Sequence, residues 1–239
     1  MTRYNFNSII NSSELIKKIE YYEKIPSTNV LAKEILYKGL GKHKDNFLIL
    51  ANYQTQGIGK NGVKFFSPSD VGIYMSIVLL NPNNNVNLYS IVTPLAICKA
   101  IKKFINIDVN IKIKWPNDIL LNNKKVCGIL IEAGALSNVK SLSYVIIGIG
   151  INVNNQKFDK SIENIATSLK KEVGKSINIS NLVSEILKQL EYLLSIDSKK
   201  LIKDYLKNLD KTSLENAHND KSFVDLINLG GNNFERGKK

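Results

Sequence analysis

Lys114-Trp115-Pro116-Asn117-Asp118-Ile119-Leu120-Leu121-Asn122-Asn123-Lys124-Lys125-Val126-Cys127-Gly128-Ile129-Leu130-Ile131-Glu132 is the stretch whose reading decides the fold. With the residues just before it, it reads as three strands, at about 111–115, 118–121 and 125–132, and Asn122-Asn123-Lys124 as a hairpin turn. Strands that follow one another this closely pair antiparallel, because no crossover helix fits between them. The class is therefore α+β, a mixed β-sheet flanked by helices, rather than strict βαβ alternation.

Upstream, Leu88, Ile91, Val92, Leu95, Ala96 and Ile101 keep helical spacing over about 88–104. Before them come a turn at 81–85 and strands over 71–80 and 47–53. Ser27 or Thr28 can cap a helix over 30–37 that ends before Gly39 and Gly41. Ile19–Ile25 reads as a strand, and Asn11-Ser12-Ser13-Glu14 as a capping signal opening a short helix to about Lys18. Downstream, 143–153 is a strand carrying Gly148 and Gly150. Leu182, Val183, Ile186, Leu187, Leu190, Leu193 and Leu194 mark an amphipathic helix, followed by a second over about 198–208. Residues 1–208 read as one domain, and 209–239 as a short, polar, Asn-rich tail.

The chain has 239 residues, 44% hydrophobic and 23% charged, which excludes wholesale disorder. No apolar run reaches the roughly 18 residues of a membrane span, and the N-terminus does not read as a signal peptide, so a soluble, cytoplasmic protein is expected. Cys98 and Cys127 are too few for a disulfide framework, and His43 and His218 leave little for a His-based metal site. The net charge of +12 could serve a polyanion. However, Arg3 and Arg236 are the only arginines, which disfavours a DNA reader, and the richness in Lys, Asn and Ile looks like compositional drift.

Four segments could carry chemistry. Gly57-Ile58-Gly59-Lys60-Asn61-Gly62 matches G-x-G-x-x-G, but strand-like sequence follows where a dinucleotide fold needs a helix, and Gly-Lys-[Ser/Thr] is absent. What remains is a glycine loop that can bring N–H groups and lysine charge to an anion, or a plain surface loop. In Lys114–Asp118, Asn117 and Asp118 emerge at a strand end, where a carboxylate can meet a nucleotide or its Mg²⁺, or simply build a turn. Lys125 beside Gly128 can reach a bound anion or be an edge lysine, and Cys127 reads as a small buried hydrophobe. Gly148-Ile149-Gly150-Ile151-Asn152-Val153-Asn154 marks close approach of a ligand or another backbone.

Taken in order, these segments resemble the catalytic domain of biotin protein ligases, within the wider biotin/lipoate ligase, class II synthetase-like fold family. The matching residues are Ser27-Thr28-Asn29, Gln54 ahead of the glycine loop, Phe66-Ser67-Pro68, Lys114–Asp118, Lys125-x-x-Gly128-Ile-Leu and Gly148-x-Gly150-x-Asn152-x-Asn154, over about 20–195. The resemblance implies condensation of biotin with ATP to biotinyl-AMP, then transfer to a lysine of a biotin carboxyl carrier domain of acetyl-CoA carboxylase or another biotin-dependent carboxylase. It implies catalytic roles for Lys125, Asp118 and Lys60. Ser27, Thr28, Asn29, Gln54, Gly57, Ile58, Gly59, Lys60, Lys125, Gly128, Gly148 and Gly150 would hold biotin and the adenylate. Phe65, Trp115, Asn117, Asp118 and Asn152 would lie on the nucleotide side. ATP with Mg²⁺ would be co-substrate, with no tightly bound cofactor and no dedicated protein metal site.

Three departures stand out. Ile58, Lys60 and Val63 occupy positions that are arginine in the family's loop, and Phe65 replaces a frequent tryptophan. The tail, including Gly230-Gly231-Asn-Asn-Phe, lacks the alternating strands of the family's C-terminal SH3-like domain, which reads as missing or degenerate. No helix-turn-helix module precedes the matching region, so the expectation is a ligase without DNA or membrane partners. A homodimer through a strand edge near the glycine loop stays open. The alternatives are a lipoate or octanoate ligase or transferase of the same fold, a non-catalytic biotin-binding relic, and a polyanion binder.

Overall fold

The computed structural model describes residues 3–39, 44–82, 86–105, 109–136, 142–216 and 224. One seven-stranded sheet runs in the order β1 (Lys18–Ile25), β2 (Phe47–Gln54), β3 (Gly72–Leu80), β7 (Tyr144–Asn152), β6 (Lys124–Gly134), β5 (Asp118–Leu121) and β4 (Ile111–Lys114). Only β1 and β2 are parallel, and α2 (Thr28–Lys38) lies between them in the chain. Every other neighbour is antiparallel, so the sheet is mixed, in the α+β class expected.

The two-residue period of a strand separates two cores. On β7, Val145, Ile147, Ile149 and Ile151 face the larger one, while Tyr144 and Ile146 face the smaller. The larger core is covered by α1 (Phe6–Ile10), α3 (Val86–Phe104), α5 (Ile179–Leu194) and α6 (Ser198–Asn208). In α5, Leu182, Val183, Ile186, Leu187, Leu190 and Leu193 are buried, as their spacing requires. Among the described residues α2 is the helix that covers the opposite face, through Ala32 and Leu36, with Phe65 and Leu136 packed beside it. The described residues therefore roof that face only in part, and its even-numbered β7 positions beyond Ile146 are Gly148, Gly150 and Asn152.

The hairpin between β5 and β6 turns on Asn122 (φ 49°) and Asn123 (φ 64°). Both lie in the left-handed region that a two-residue turn of this hand demands and that Asn tolerates best after Gly.

The short helix expected after Asn11-Ser12-Ser13-Glu14 lies upstream instead, at Phe6–Ile10. Asn5 caps it, accepting from the Ser8 N–H at 3.0 Å, and Ser12 closes its other end by donating to the Ile9 carbonyl at 2.7 Å. Ser13 accepts from the Leu15 N–H in a local turn, so the Asn-Ser-Ser run ends a helix rather than starting one. An unanticipated one-turn helix, α4 (Leu169–Val173), is capped by Ser168 and closed by Gly174 at φ 73°.

Packing on the sheet continues past residue 208. Leu209 bridges Ile113, and the first turn of α7 (Lys211–Asn216) brings Ser213 Oγ to accept from the Trp115 N–H at 2.8 Å. Most of the expected tail, with Gly230-Gly231, lies outside the described residues, as do His43 and His218.

Candidate active site

The uncovered part of the sheet carries a cleft of about 450 Å³. Its floor is main chain. Gly128 pairs with Gly150 and Leu130 with Gly148 across β6 and β7, so side-chain-free positions lie next to one another. Two other side chains use that space. A Cβ at Gly148 would stand 2.3 Å from Asn29 Oδ1, and one at Gly150 would stand 2.5 Å from the Phe65 ring. Only glycine permits either approach.

Lys125 reaches this face through a β-bulge. In an unbroken strand, residues three apart point to opposite sides, and Lys125 would enter the helix-covered core. Here Cys127 pairs with Ile119 and Lys125 with the very next residue, Leu120, so Val126 is the extra residue. Val126 and Cys127 are both fully buried in the larger core, and Lys125 emerges beside Gly128. Segment 165–167 clamps its backbone: Lys125 N donates to the Ile165 carbonyl at 2.8 Å, and Thr167 N to the Lys125 carbonyl at 2.9 Å. The Lys125 ammonium lies 2.7 Å from Asp118 Oδ1 and 6.0 Å from the centre of the Phe65 ring. This pair is partly exposed, so it contributes little to stability and keeps a charge available at the cleft.

Asn117 holds the neighbouring strand edge. Its Nδ2 donates to the Ile129 carbonyl at 2.7 Å, and its carbonyl accepts from the Ile129 N–H at 2.9 Å. Gln54 fixes the start of α2, its Oε1 accepting from the Thr28 N–H at 2.8 Å and from the Thr28 hydroxyl at 3.2 Å. Gln54 Nε2 in turn donates to Ser67 Oγ at 3.1 Å. The glycine loop is a small hairpin: Phe65 N donates to the Gly57 carbonyl, Gly59 N to the Val63 carbonyl, and Lys60–Gly62 form a single 3₁₀ turn at its tip. No helix follows it, in keeping with the sequence context that argues against a dinucleotide fold.

Most of the expected site residues meet here. Ser27, Thr28, Asn29, Gln54, Ile58, Gly59, Lys60, Phe65, Asn117, Asp118, Lys125, Gly128, Gly148 and Gly150 line the one cleft. Asn152 lines an adjoining hollow of about 520 Å³ with Phe65, Phe66, Lys125, Ile162 and Ile165. Its Oδ1 is buried and lacks a hydrogen-bond partner among the described residues. Gly57 lies behind the cleft, packed under the Phe65 carbonyl and Ser67.

Trp115 does not line the cleft; its side chain packs against the helix-covered core, on the face that Ile111 and Ile113 occupy. Three residues were not legible as site residues beforehand. Ser76 donates to Asn29 Oδ1 at 2.5 Å, Glu132 accepts from Asn29 Nδ2 at 2.9 Å, and Lys33 pairs with Glu132 at 2.5 Å. Ser76 had one signal, as the only polar side chain besides Tyr74 in the run Gly72–Leu80.

The sequence model of the biotin/lipoate A/B protein ligase family matches residues 21–152. The bifunctional ligase/repressor BirA of Bacillus subtilis is 34% identical over 172 residues, covering 70% of this chain and 50% of the relative. The biotin–[acetyl-CoA-carboxylase] ligase of Paracoccus denitrificans is 30% identical over 136 residues, 54% of this chain and 55% of the relative. The chain thus spans about half the length of the curated relatives it matches. The biotin protein ligase of Aquifex aeolicus, solved with biotin and ATP, superposes with a TM-score of 0.64 at 25% identity, over 81% of this chain and 79% of that one. Since the family's sequence model covers more than half of these residues and its fold is reproduced around the cleft, the chain belongs to the biotin/lipoate A/B protein ligase family.

Proposed function

We propose that this chain is an ATP-dependent biotin–protein ligase that activates biotin as biotinyl-AMP and passes the biotinyl group to a lysine of a biotin carboxyl carrier domain. The observation that carries the proposal is the Lys125–Asp118 pair, turned by a bulge onto the cleft's floor of peptide groups. An acid lies along that floor with its carboxylate toward Lys125. The carboxylate oxygen attacks the α-phosphorus, an acyl–phosphate bond forms, and the α–β bridge breaks to release pyrophosphate. Lys125 stabilises the negative charge that gathers on the phosphoryl oxygens. In the second step the neutral acceptor amine attacks the acyl carbon and AMP departs with the bonding pair. Alignment and charge carry both steps, so no covalent enzyme intermediate is needed.

The nucleotide occupies the adjoining hollow, where the unpaired Asn152 Oδ1 can accept from an amine or hydroxyl and Phe65 supplies an apolar wall. Mg²⁺ arrives with the triphosphate. Among the described residues no group of three or more His, Cys, Asp or Glu could hold a metal ion, and the ion would take oxygen ligands from the phosphates it accompanies. Among the same residues no helix is long and apolar enough to cross a membrane. The Paracoccus relative, named for acetyl-CoA carboxylase, supports that enzyme's carrier domain as the acceptor.

The test combines the protein, biotin, MgATP and a biotin-acceptor domain, with the acceptor read by intact mass spectrometry and lipoate run as a control. A biotin-dependent mass gain is expected. Pyrophosphate release without a gain would restrict the chain to the first half-reaction. A gain with lipoate alone would assign it to the lipoate branch of the family, and silence in both assays would leave a binding protein.

A further inference from the structure

Asn29 stands over Gly148, two residues further along the cleft floor than the Gly128–Gly150 pair beside Lys125. The Lys125 ammonium lies 3.3 Å from where a Cβ of Gly128 would stand, and Gly128 is two residues from Leu130, the partner of Gly148, so roughly 7 Å of strand separates the lysine charge from the Asn29 site. The Asn29 side chain is almost wholly committed. Its Oδ1 accepts from the Ser76 hydroxyl at 2.5 Å, and its Nδ2 donates to Glu132 Oε2 at 2.9 Å and toward the Leu130 carbonyl at 3.4 Å. An ionised carboxylate and a carbonyl only accept, so the nitrogen must face them and the orientation of the amide is fixed chemically. One lone pair of Oδ1 is all that remains for a ligand. Glu132 is itself held by Lys33, which lies one turn along α2 from Asn29 and on the same helix face.

We infer that Glu132, held by Lys33, is a positioning residue that locks the Asn29 amide with its oxygen toward the cleft, making the cleft there selective for a ligand head group carrying an N–H or O–H donor. The inference rests on the proposed function, because biotin's ureido group has such donors and a dithiolane ring has none. Without the carboxylate only the 3.4 Å contact to the Leu130 carbonyl still holds the nitrogen, so the amide can turn over and convert an acceptor end into a donor end. A buried donor facing another donor is far costlier than a missing hydrogen bond.

The test is a double-mutant cycle of Asn29→Ala and Glu132→Ala, with Glu132→Gln as the conservative variant. It is read by the KM for biotin and for ATP in pyrophosphate release, and by the Asn29 side-chain amide signal in the ligand-free, isotope-labelled protein. Glu132→Ala is expected to raise the biotin KM about tenfold, with kcat and the ATP KM held within about threefold. Glu132→Gln, which still offers Asn29 a carbonyl oxygen, should stay close to the parent. In the Asn29→Ala background, Glu132→Ala should add less than about twofold, because the two residues act as one unit. The amide protons, well separated and slow to exchange in the parent and in Glu132→Gln, should lose that protection in Glu132→Ala.

Equal effects of Glu132→Ala in both backgrounds, a parallel rise in both KM values, or an amide signal indifferent to Glu132→Ala would each overturn the inference. Absence of biotin-dependent pyrophosphate release in the parent would overturn the proposed function instead. In that case the amide signal alone decides whether Glu132 positions Asn29.

Discussion

Lys125 and Lys60 both bring charge to the cleft, but they are held very differently. Lys125 is clamped through its backbone on one side and paired with Asp118, whereas Lys60 sits exposed at the tip of a hairpin whose turn residues, Asn61 and Gly62, are both at positive φ. Replacing Lys125 by Met should cut the rate of biotin-dependent pyrophosphate release by about 10²–10³-fold, the usual cost of a group aimed at developing charge, while the circular dichroism spectrum stays unchanged. Lys60→Arg should act in the opposite direction on a different quantity. A planar guanidinium fork grips phosphate better than a point charge, so release of biotinyl-AMP, followed by filtration of the complex, should slow.

The roles of lone residues were less legible than motifs. The glycine loop and the Lys-x-x-Gly pair could be read because each needs several unusual residues together. Ser76, Glu132 and Lys33 come from three separate elements, and only folding brings them around Asn29. Trp115 illustrates the opposite error. Its alternation with Ile111 and Ile113 already placed it on the core face, but its position within Lys114–Asp118 drew attention to the nucleotide side.

Among elements, the β5–β6 hairpin bears most directly on the site, because its register sets where Asp118 and Lys125 meet. Asn123 at φ 64° should tolerate Gly and resist Val, whose branched side chain is strained there. Asn123→Val is expected to cost about 1–2 kcal/mol in urea unfolding, with Asn123→Gly close to neutral. Strand and helix boundaries were legible wherever the apolar period was long, as in α3 and α5. The bulge at Val126 was not, since an extra residue has no signature beyond two consecutive core residues, Val126 and Cys127. The N-terminal helix was misplaced because Asn and Ser serve at either end of a helix, and only the docking of Asn5 N–H on Ser180 Oγ of α5 at 2.8 Å settles which.

Across the whole molecule, two thiols report on the integrity of the larger core. Cys98, on α3, and Cys127, on β6, are both free and buried. Burial pushes the Cys98 thiol from 9.0 up to about 12 and raises Cys127 in the same direction. Well below pH 9 both groups stay protonated in the folded and the unfolded chain, so the core is unaffected. Between pH 9 and about 12 the unfolded chain releases these protons and the native one does not, so stability falls as pH rises. At pH 8 the native protein should leave both thiols unmodified by a small alkylating reagent, and denaturant should expose two; labelling of the native protein would show an open core.

The glycine floor also has an evolutionary consequence. Nearly all the basic residues of this chain are lysine, and its glycine loop holds no arginine. Such drift exchanges side chains but leaves peptide groups as they were. A recognition surface built from the backbone at Gly148 and Gly150 is out of its reach, because any substitution there inserts atoms where Asn29 or Phe65 already stands. Selection can therefore leave the rim free to vary and still inherit the same imprint of the ligand, which makes the floor the part of this site that should change most slowly over the lineage's history.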